Sequence, residues 1–588
     1  MSAVQKIKVI DSRIVQSAPK YAVVEGAPQV SNTPFQAVSS NSSSMSFNIN
    51  APSKNVFMDR TMSITTGVRM KATIVLDAIP VQVPDDPTPI VSFGKNIALP
   101  AFPLQSMMNT LNVTINNSTV TANQKDVIYE LLRLTSGSKN NQQRTTPTML
   151  DKFVNYGDAY TYGSSPLAGY EQALTSGEVP NGAFPNVKFT DAMGNDTNAP
   201  VPINGQLRYD IYWEYTVTEK LVLSPFIFSE EETDSVGLYG INNIQILANF
   251  SSDLSKSIRW ASGDRGFTMT NIGFISANPF VSPVVNCVFR NPTDSIDLPP
   301  KSIVPFMETP RYISSNAGVN LYAGERKTIS SNTMVLSQIP DMMLIYVKPN
   351  SYSINGVDTP LDGAFGDFYL PISKFIANFD NNSGMMSSIT REQLFEMTVG
   401  NNFNITYHEF VGKAHVNNAD EIALIGSPIV LKPGKDFPLS AGSASGLGGN
   451  YTLQFQIEIE NQTVYDFINP VIYCMVVNSG FFETENGTSA VRTAPLTVSD
   501  ISLSPILAQS SDITRMVGGS FWSKIGSTLK NIVNHPITKA VSGIAKSVAR
   551  SSGVPLAGKL ADAADAVGLG KTTGGRKKRA SKGLTALM

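Results

Sequence analysis

Several short patterns occur twice in this chain of 588 residues, in the same order each time. Residues 237–246 begin with Gly-Leu-Tyr-Gly and continue into Ile-Gln-Ile. They reappear as 446–455, with Gly-Leu-Gly-Gly and Leu-Gln-Phe, at an offset of 209. Upstream, 221–225 reappear as 429–433 at an offset of 208. Ordered repeats with a nearly constant offset predict two similar domains in tandem.

A second pair of matches lies earlier and has a larger offset. Residues 113–117 resemble 377–381 at an offset of 264, and the Tyr-Glu-Leu at 129–131 resembles the Phe-Glu-Met at 395–397 at an offset of 266. The first copy therefore carries about 55 additional residues, inserted within 135–205. Because that insertion is long and polar, we expect it to form either an outward tower or inter-module loops of an assembly.

Both copies are predicted to be rich in short strands. Hydrophobic residues make up 42% of the chain and charged residues 16%, which indicates well-packed globular structure. Residues 68–74 and 451–460 alternate between apolar and polar, as half-buried strands do. Short helices are expected at 126–134 and at 391–397, the second capped by Ser388 or Thr390.

About eight strands per copy, separated by frequent turn residues, predict an all-β fold of two tandem eight-stranded jelly rolls, with a short helical, basic C-terminal tail. The expected divisions are an extended N-terminal arm at 1–54, a first roll at 55–297, a second roll at 298–508, a linker at 509–519 and the tail at 520–588.

Cysteine use and hydropathy restrict the compartment. The two cysteines, Cys287 and Cys474, each lie in an apolar, strand-like run, which favours buried free thiols over a disulfide framework. The N-terminus has no apolar signal region, and no run of 18 apolar residues occurs. We therefore expect neither secretion nor a spanning helix.

Motifs for catalysis and for cofactor binding are missing. The histidines are His408, His415 and His535, and the chain contains no HExxH, CxxC or GxSxG pattern. The glycine-rich stretches at 553–559 and 568–572 each depart from the phosphate-loop pattern. We expect no enzyme activity, no metal and no cofactor.

The tail differs from the body in charge and in periodicity. Residues 520–588 contain 12 Lys or Arg and 2 Asp, a net charge of +10, whereas the body is near −12. Apolar side chains at helical spacing form a stripe: Trp522, Ile525, Leu529, Ile532 and Val533. Such a cationic amphipathic helix is typical of a membrane-active or scaffold segment, and the alternative is a helix docked on the body of the protein.

A cluster of four basic residues lies near the end of the tail. Arg576, Lys577, Lys578 and Arg579 are typical of a nuclear import signal or a nucleic-acid patch, and the alternative is a solvated chain end.

Taken together, the tandem rolls, the insertion, the arm and the segments at 367–372, 381–384 and 390–394 resemble the double jelly-roll major capsid proteins of eukaryotic double-stranded DNA viruses, of the polinton-like virus and virophage type. The resemblance implies homotrimeric, pseudo-hexagonal capsomers in an icosahedral virion shell. It also implies neighbouring capsomers, penton and minor capsid proteins as partners. Synthesis would occur in the host cytoplasm, with nuclear import as an open alternative.

The same resemblance implies proteolytic maturation. Adenovirus-type cysteine proteases of such viruses cut after a hydrophobic-x-Gly-Gly sequence. Met516, Val517, Gly518 and Gly519 fit that pattern, with Ser520 as the first residue of the released peptide. The tail would then meet DNA or an internal lipid membrane.

Two other classes of protein compete with this interpretation. One is a secreted or surface two-domain β-sandwich protein for carbohydrate binding or adhesion, which should carry a secretion signal. The other is a β-sandwich glycosidase, which needs paired carboxylates. The richest acidic cluster, Glu230, Glu231, Glu232 and Asp234, has the pattern of a solvated loop.

Overall fold

The computed structural model describes residues 29–493, apart from gaps at 54–55, 80–87, 135–145, 157–186, 227–236, 263–265, 292–300, 317–318, 355–356, 381, 416–420, 440–442, 444 and 464–466. Antiparallel strands dominate these residues, and four short helices lie among them.

The first roll consists of two sheets joined by one hairpin. Its elements are β1 (Gln29–Ser40), β2 (Ser44–Asn50), β3 (Phe57–Met58), β4 (Ser63–Leu76), β5 (Ile97–Ala98), α1 (Pro103–Ser106), β6 (Met108–Ile115), β7 (Ser118–Ala122), α2 (Gln124–Leu134), β8 (Val187–Thr190), β9 (Arg208–Lys220), β10 (Asn243–Phe250), β11 (Arg259–Trp260), β12 (Phe267–Phe274) and β13 (Phe280–Asn291). One sheet has the order β1-β13-β4-β9-β8, and the other has the order β2-β10-β6-β7.

The second roll repeats this arrangement. Its elements are β14 (Lys301–Glu308), β15 (Arg311–Ser315), β16 (Leu321–Tyr322), β17 (Arg326–Ser330), β18 (Met334–Gln338), β19 (Met342–Ile354), β20 (Val357–Pro360), β21 (Ile372–Phe379), β22 (Asn382–Met385), α3 (Arg391–Gly400), α4 (Tyr407–Val411), β23 (Lys413–His415), β24 (Glu421–Ala423), β25 (Ile429–Leu431), β26 (Gly448–Glu460), β27 (Phe467–Glu485) and β28 (Thr488–Thr493). In one sheet, β27 is the central strand, with β14, β15 and β16 along one edge and β19 along the other. Strand β19 also pairs with β25. In the other sheet, β26 is the central strand, with β17 and β18 along one edge and β21 along the other, and β21 also pairs with β22.

Alternation along the strands explains why each roll encloses a core. In β9 every second residue, from Tyr209 through Trp213 to Val217, is buried, while the residues between them face outward. Strand side chains point to opposite faces in turn, so this pattern places one apolar face of each sheet against the other.

The predicted repeat is visible in the backbone. The turns after β6 and β21 each contain a residue with left-handed φ, Asn116 at 52° and Asp380 at 51°. Their backbone N–H groups donate to Asn243 O and Thr452 O respectively, both at 2.8 Å. A helix then follows each hairpin, α2 in the first roll and α3 in the second. The offsets of 264 and 209 therefore connect positions with the same role.

Both cysteines occupy one position of the repeated fold. Cys287 of β13 follows Asn286, which pairs with Ser63 of β4. In the same way, Cys474 of β27 follows Tyr473, which pairs with Tyr346 of β19. Both are buried free thiols, as the sequence predicts, and burial raises the pKa of the Cys287 thiol to about 12.

The expectation of an extended arm at 1–54 is wrong for its second half. Residues 29–40 and 44–50 are β1 and β2, which belong to the two sheets of the first roll. The buried residues Met45, Phe47 and Ile49 alternate with polar ones, so this Ser- and Asn-rich segment still supplies an apolar face. Residues 1–28 lie outside the described part of the chain.

Candidate functional site: the interface between the two rolls

Helix α2 of the first roll packs on the outer face of β19 in the second roll. Its apolar residues Val127, Ile128 and Leu131 are buried in the same cluster as Tyr346 and Val347 of β19. The hydroxyl of Tyr346 donates to the carbonyl of Asp126 at 3.1 Å. The first roll therefore completes the hydrophobic core of the second.

A buried cluster of charged side chains lies at this contact. The Lys348 ammonium of β19 is 2.8 Å from Glu130 Oε1 of α2 and 3.0 Å from Asp367 Oδ1. The Tyr369 hydroxyl donates to the same Glu130 oxygen at 3.1 Å. At the helix start, Arg311 Nε is 2.6 Å from Asp126 Oδ2. Since Glu130 is fully buried, its charge depends on Lys348.

Burial and charge act in opposite directions on this cluster. Burial raises the pKa of Glu130, and the neighbouring Lys348 only partly offsets that rise. For Lys348, burial lowers the pKa, but the carboxylates of Asp367 and Glu130 outweigh burial and raise it well above its ordinary value. The lysine is therefore held as a cation inside the interface.

A second charged pair fixes the segment at 151–156 between the rolls. Arg259 Nη2 is 2.8 Å from Asp151 Oδ2, and both side chains are almost completely buried. The Tyr156 hydroxyl also donates to Asp151, and the backbone N–H of Asp367 in the second roll donates to Asp151 Oδ2 at 2.8 Å. Burial alone would raise the pKa of Asp151, but Arg259 outweighs it and the pKa is lowered.

Backbone hydrogen bonds continue this contact on both sides of the segment. Val154 N donates to Ala423 O at 3.2 Å, and Gly366 N donates to Val154 O at 3.1 Å. The segment 151–156 therefore lies as an extra extended piece between two stretches of the second roll. This part of the predicted insertion is an inter-roll connection within one chain, whereas 157–186 lie outside the described residues.

Glu219 is a further buried acid, at the end of β9 in the first roll. Its carboxylate accepts from the backbone N–H groups of Leu104 and Gln105 at 2.8 and 2.9 Å, and from the Thr146 hydroxyl at 3.2 Å. Burial nevertheless raises its pKa to about 7. At the repeat offset of 208 the second roll has Ser427, whose hydroxyl accepts from Ile372 N at 3.0 Å.

The site residues predicted from the sequence lie outside the described residues. This applies to the cleavage motif at 516–520, to the apolar stripe at 522–533 and to the basic patch at 576–579. Within 29–493, outside the stated gaps, no group of three His, Cys, Asp or Glu residues could hold a metal ion. The same search region contains no helix long and apolar enough to cross a membrane.

Sequence reasoning missed the charged residues of the interface. Glu130 and Lys348 are far apart in the chain, and no local pattern pairs them. One signal was present, since Lys348 directly follows the buried apolar run at 342–347. A charge at such a position needs a partner of opposite sign.

Comparison with known families assigns both rolls. Residues 2–289 match the model described as the first domain of the Sputnik virophage major capsid protein, and 309–480 match the model described as the C-terminal domain of major capsid protein V20. Together the two matches cover most of the chain.

Full-length relatives agree with that assignment. The putative capsid protein V20 of Sputnik virophage is 26% identical over 533 residues, covering 87% of this chain and 84% of the relative. The cryo-EM structure of the Sputnik virophage contains a chain with a TM-score of 0.69 and 23% identity, covering 85% of this chain and 95% of that one. The mavirus major capsid protein gives a TM-score of 0.59 at 14% identity, covering 86% and 98%.

These structural neighbours share the double jelly-roll fold, and the matching relatives are structural proteins and not enzymes. Assignment to these capsid proteins therefore replaces the interpretations as a carbohydrate-binding protein and as a glycosidase. The chain belongs to the double jelly-roll major capsid proteins of the virophage type, which form the shell of the virion.

Proposed function

We propose that three copies of this chain form a pseudo-hexagonal capsomer of an icosahedral shell. The observation that carries the proposal is the interface between the rolls. Buried ion pairs and backbone hydrogen bonds fix two similar rolls in one chain. Three such pairs around a three-fold axis supply six similar modules, and a closed ring leaves no unpaired surface of this kind.

Native mass spectrometry of the purified full chain tests the trimer. We expect a species of three times 63.4 kDa at micromolar concentration in physiological salt. Negative-stain images of the same sample should contain triangular or hexagonal particles. A stable monomer under these conditions would contradict the proposal.

Proteolytic maturation is the second part of the proposal. Cleavage after Gly519 would release residues 520–588, whose net charge is +10. Two glycines before the cut suit a narrow protease cleft, because they present no side chains to its walls. Intact-mass analysis of mature particles should find capsid protein that ends at Gly519. Gly518→Val should block the cut, whereas Ser520→Ala should leave it intact.

The partner of the tail is either DNA or an internal membrane. If phosphates bind the basic patch at 576–579, affinity should fall steeply with salt. If lipid binds the stripe at 522–533, binding to neutral vesicles should persist in salt and should weaken in Trp522→Ala. The same basic patch would direct nuclear import, which a fluorescent fusion of 570–588 in host cells would test.

A further inference from the structure

The two helices that follow the repeated hairpins have the same position in their rolls but different surroundings. The offset of 266 places Glu130 of α2 at Glu396 of α3, and Arg133 at Val399. Glu130 and Arg133 are 0% and 4% exposed. Lys348 and Tyr369 of the second roll contact Glu130, and Arg133 donates to the carbonyl of Asp151 at 2.6 Å. Glu396 is exposed, and Val399 is 41% exposed. Among the described residues, Glu396 and Val399 stay exposed on this side of α3, where the neighbouring Glu392 accepts from the Tyr407 hydroxyl at 3.1 Å.

We define the α3 face as Glu392, Glu396 and Val399. It lies on the side of the helix opposite Leu394 and Thr398, which are buried against the second roll itself. Val399 follows the two carboxylates along this side of the helix, and one exposed apolar residue alone needs no explanation. The equivalent side of α2 gives this arrangement a meaning, because there it is an interface.

The surface that receives α2 also has an equivalent in the first roll. Tyr346 of β19 pairs with Tyr473 of β27, and Ser63 of β4 pairs with Asn286 of β13. Leu221 N donates to Met62 O, and Ile429, its repeat partner, pairs with Ile345. Ser63 therefore corresponds to Tyr346, and Thr65 corresponds to Lys348.

We define the β4 face as Asn32, Ser63, Thr65, Lys220 and Asn286. Asn32 pairs with Val288 just as Arg311 pairs with Met475, so Asn32 stands where Arg311 binds Asp126 of α2. Lys220 is directly opposite Ser63 and is exposed. All five side chains are exposed or half-buried, and the face is neutral apart from one cation.

We infer that the α3 face of one chain docks on the β4 face of a second copy, in the manner in which α2 docks on β19 within a chain. This rests on the proposed trimer and specifies its contact. In a ring of alternating rolls, the covalently fixed contact from the first to the second roll must be followed by a contact from the second to the next first roll. The α3 carboxylates face Lys220 there, so the charges are complementary.

Charge reversal tests the contact. We expect Glu396→Lys in the full chain to raise the concentration at which half of the chains are trimeric by about tenfold. Lys220→Glu should have a similar effect, and the double variant should recover at least half of the loss. Asp77→Lys is the matched control, since this exposed carboxylate follows the opposite end of β4 and should leave assembly unchanged.

A gain of affinity provides an independent test that does not depend on a destabilised protein. Asn32→Arg recreates the arginine that binds Asp126 in the intrachain contact, so it should tighten the trimer about threefold or more by pairing with Glu392. The gain should vanish in Asn32→Arg/Glu392→Gln. Gln36→Arg, four residues along the same exposed side of β1, should give no gain.

Hydrogen exchange in 391–400 separates the possible outcomes. Protection that appears only in the trimer supports the docking. If the wild-type chain does not form trimers, the proposed function fails first. If trimers form but Glu396→Lys and Asn32→Arg change nothing, the trimer stands and this contact is overturned. Equal protection in monomer and trimer would mean that other residues of the same chain cover α3. That result would also overturn the proposed contact.

Discussion

The same outer sheet face occurs twice in this molecule, with opposite chemistry. In the second roll, Tyr346, Lys348 and Tyr473 form it, with the two tyrosine rings stacked 5.4 Å apart under α2. In the first roll the corresponding residues are Ser63, Thr65 and Asn286, and Asn286 Nδ2 donates to Thr65 Oγ1 at 2.9 Å. Large aromatic and charged groups thus occupy the face that is permanently covered, and small polar groups occupy the face that is half-exposed.

The contrast indicates how one fold serves two kinds of contact. A contact within a chain forms once and stays, so it resembles a protein interior. A contact that must form between separate chains has to leave each chain soluble beforehand, so it is more polar. We therefore expect the covered face to contribute more to stability than the half-exposed face.

The largest expected effect concerns Lys348. Lys348→Ala leaves Glu130 buried without its cation and should lower the free energy of unfolding by about 3–5 kcal/mol. The matched change in the first roll, Thr65→Ala, removes a half-exposed hydroxyl and should cost less than about 1 kcal/mol. Guanidinium unfolding followed by circular dichroism measures both. Equal effects would mean that the two faces do not differ in energy.

An intermediate effect concerns pH and distinguishes Glu219 from Ser427. The Glu219 carboxyl titrates near 4.5 when unfolded and at about 7 when folded. Between these values the folded chain retains a proton that the unfolded chain releases, so stability falls as pH rises from 4.5 to 7 and stays low above that range. The full change is on the order of 3 kcal/mol.

Glu219→Gln should remove this part of the pH dependence, whereas Ser427→Ala should retain it. Tryptophan fluorescence, to which Trp213 on the same strand as Glu219 and Trp260 contribute, follows unfolding of the first roll in urea at pH 5 and pH 8. If Glu219→Gln and the wild type lose the same stability between the two pH values, Glu219 is ionised throughout that range and the prediction is wrong.

The smallest expected effect concerns the cap of α3. The Thr390 hydroxyl accepts from Gln393 N, and the Gln393 side chain accepts in return from Thr390 N. Thr390→Ala should lower the local stability of α3 by about 1 kcal/mol, because within the chain the other roll does not pack on this helix as it packs on α2. Hydrogen exchange in 391–400 should then be about fivefold faster, and Thr390→Ser should exchange at the wild-type rate.

Local patterns predicted the elements that are built from nearby residues. The helix expected at 126–134 spans 124–134, and the one expected at 391–397 spans 391–400 with the predicted cap at Thr390. The strands within 29–50 were not predicted, because the high Ser and Asn content of this segment favoured an extended arm. The alternation of Met45, Phe47 and Ile49 with polar residues is a strand signal that the sequence does contain.

The interface could not be predicted in the same way, for a physical reason. Its charged pairs join residues on different rolls or on distant segments, such as Asp151 with Arg259, and each partner looks ordinary in its own stretch of sequence. The repeat predicted that two rolls exist, but the contacts that fix their relative position depend on pairings that only the folded chain brings together.

The extended segment at 151–156 has a mechanical consequence. It is hydrogen-bonded to two stretches of the second roll, and Asp151 connects Arg259 to the backbone of Asp367. Bending the chain between its rolls would break several of these directional bonds at once. Each polypeptide should therefore behave as a rigid unit, and the curvature of a closed shell must come from the contacts between separate polypeptides.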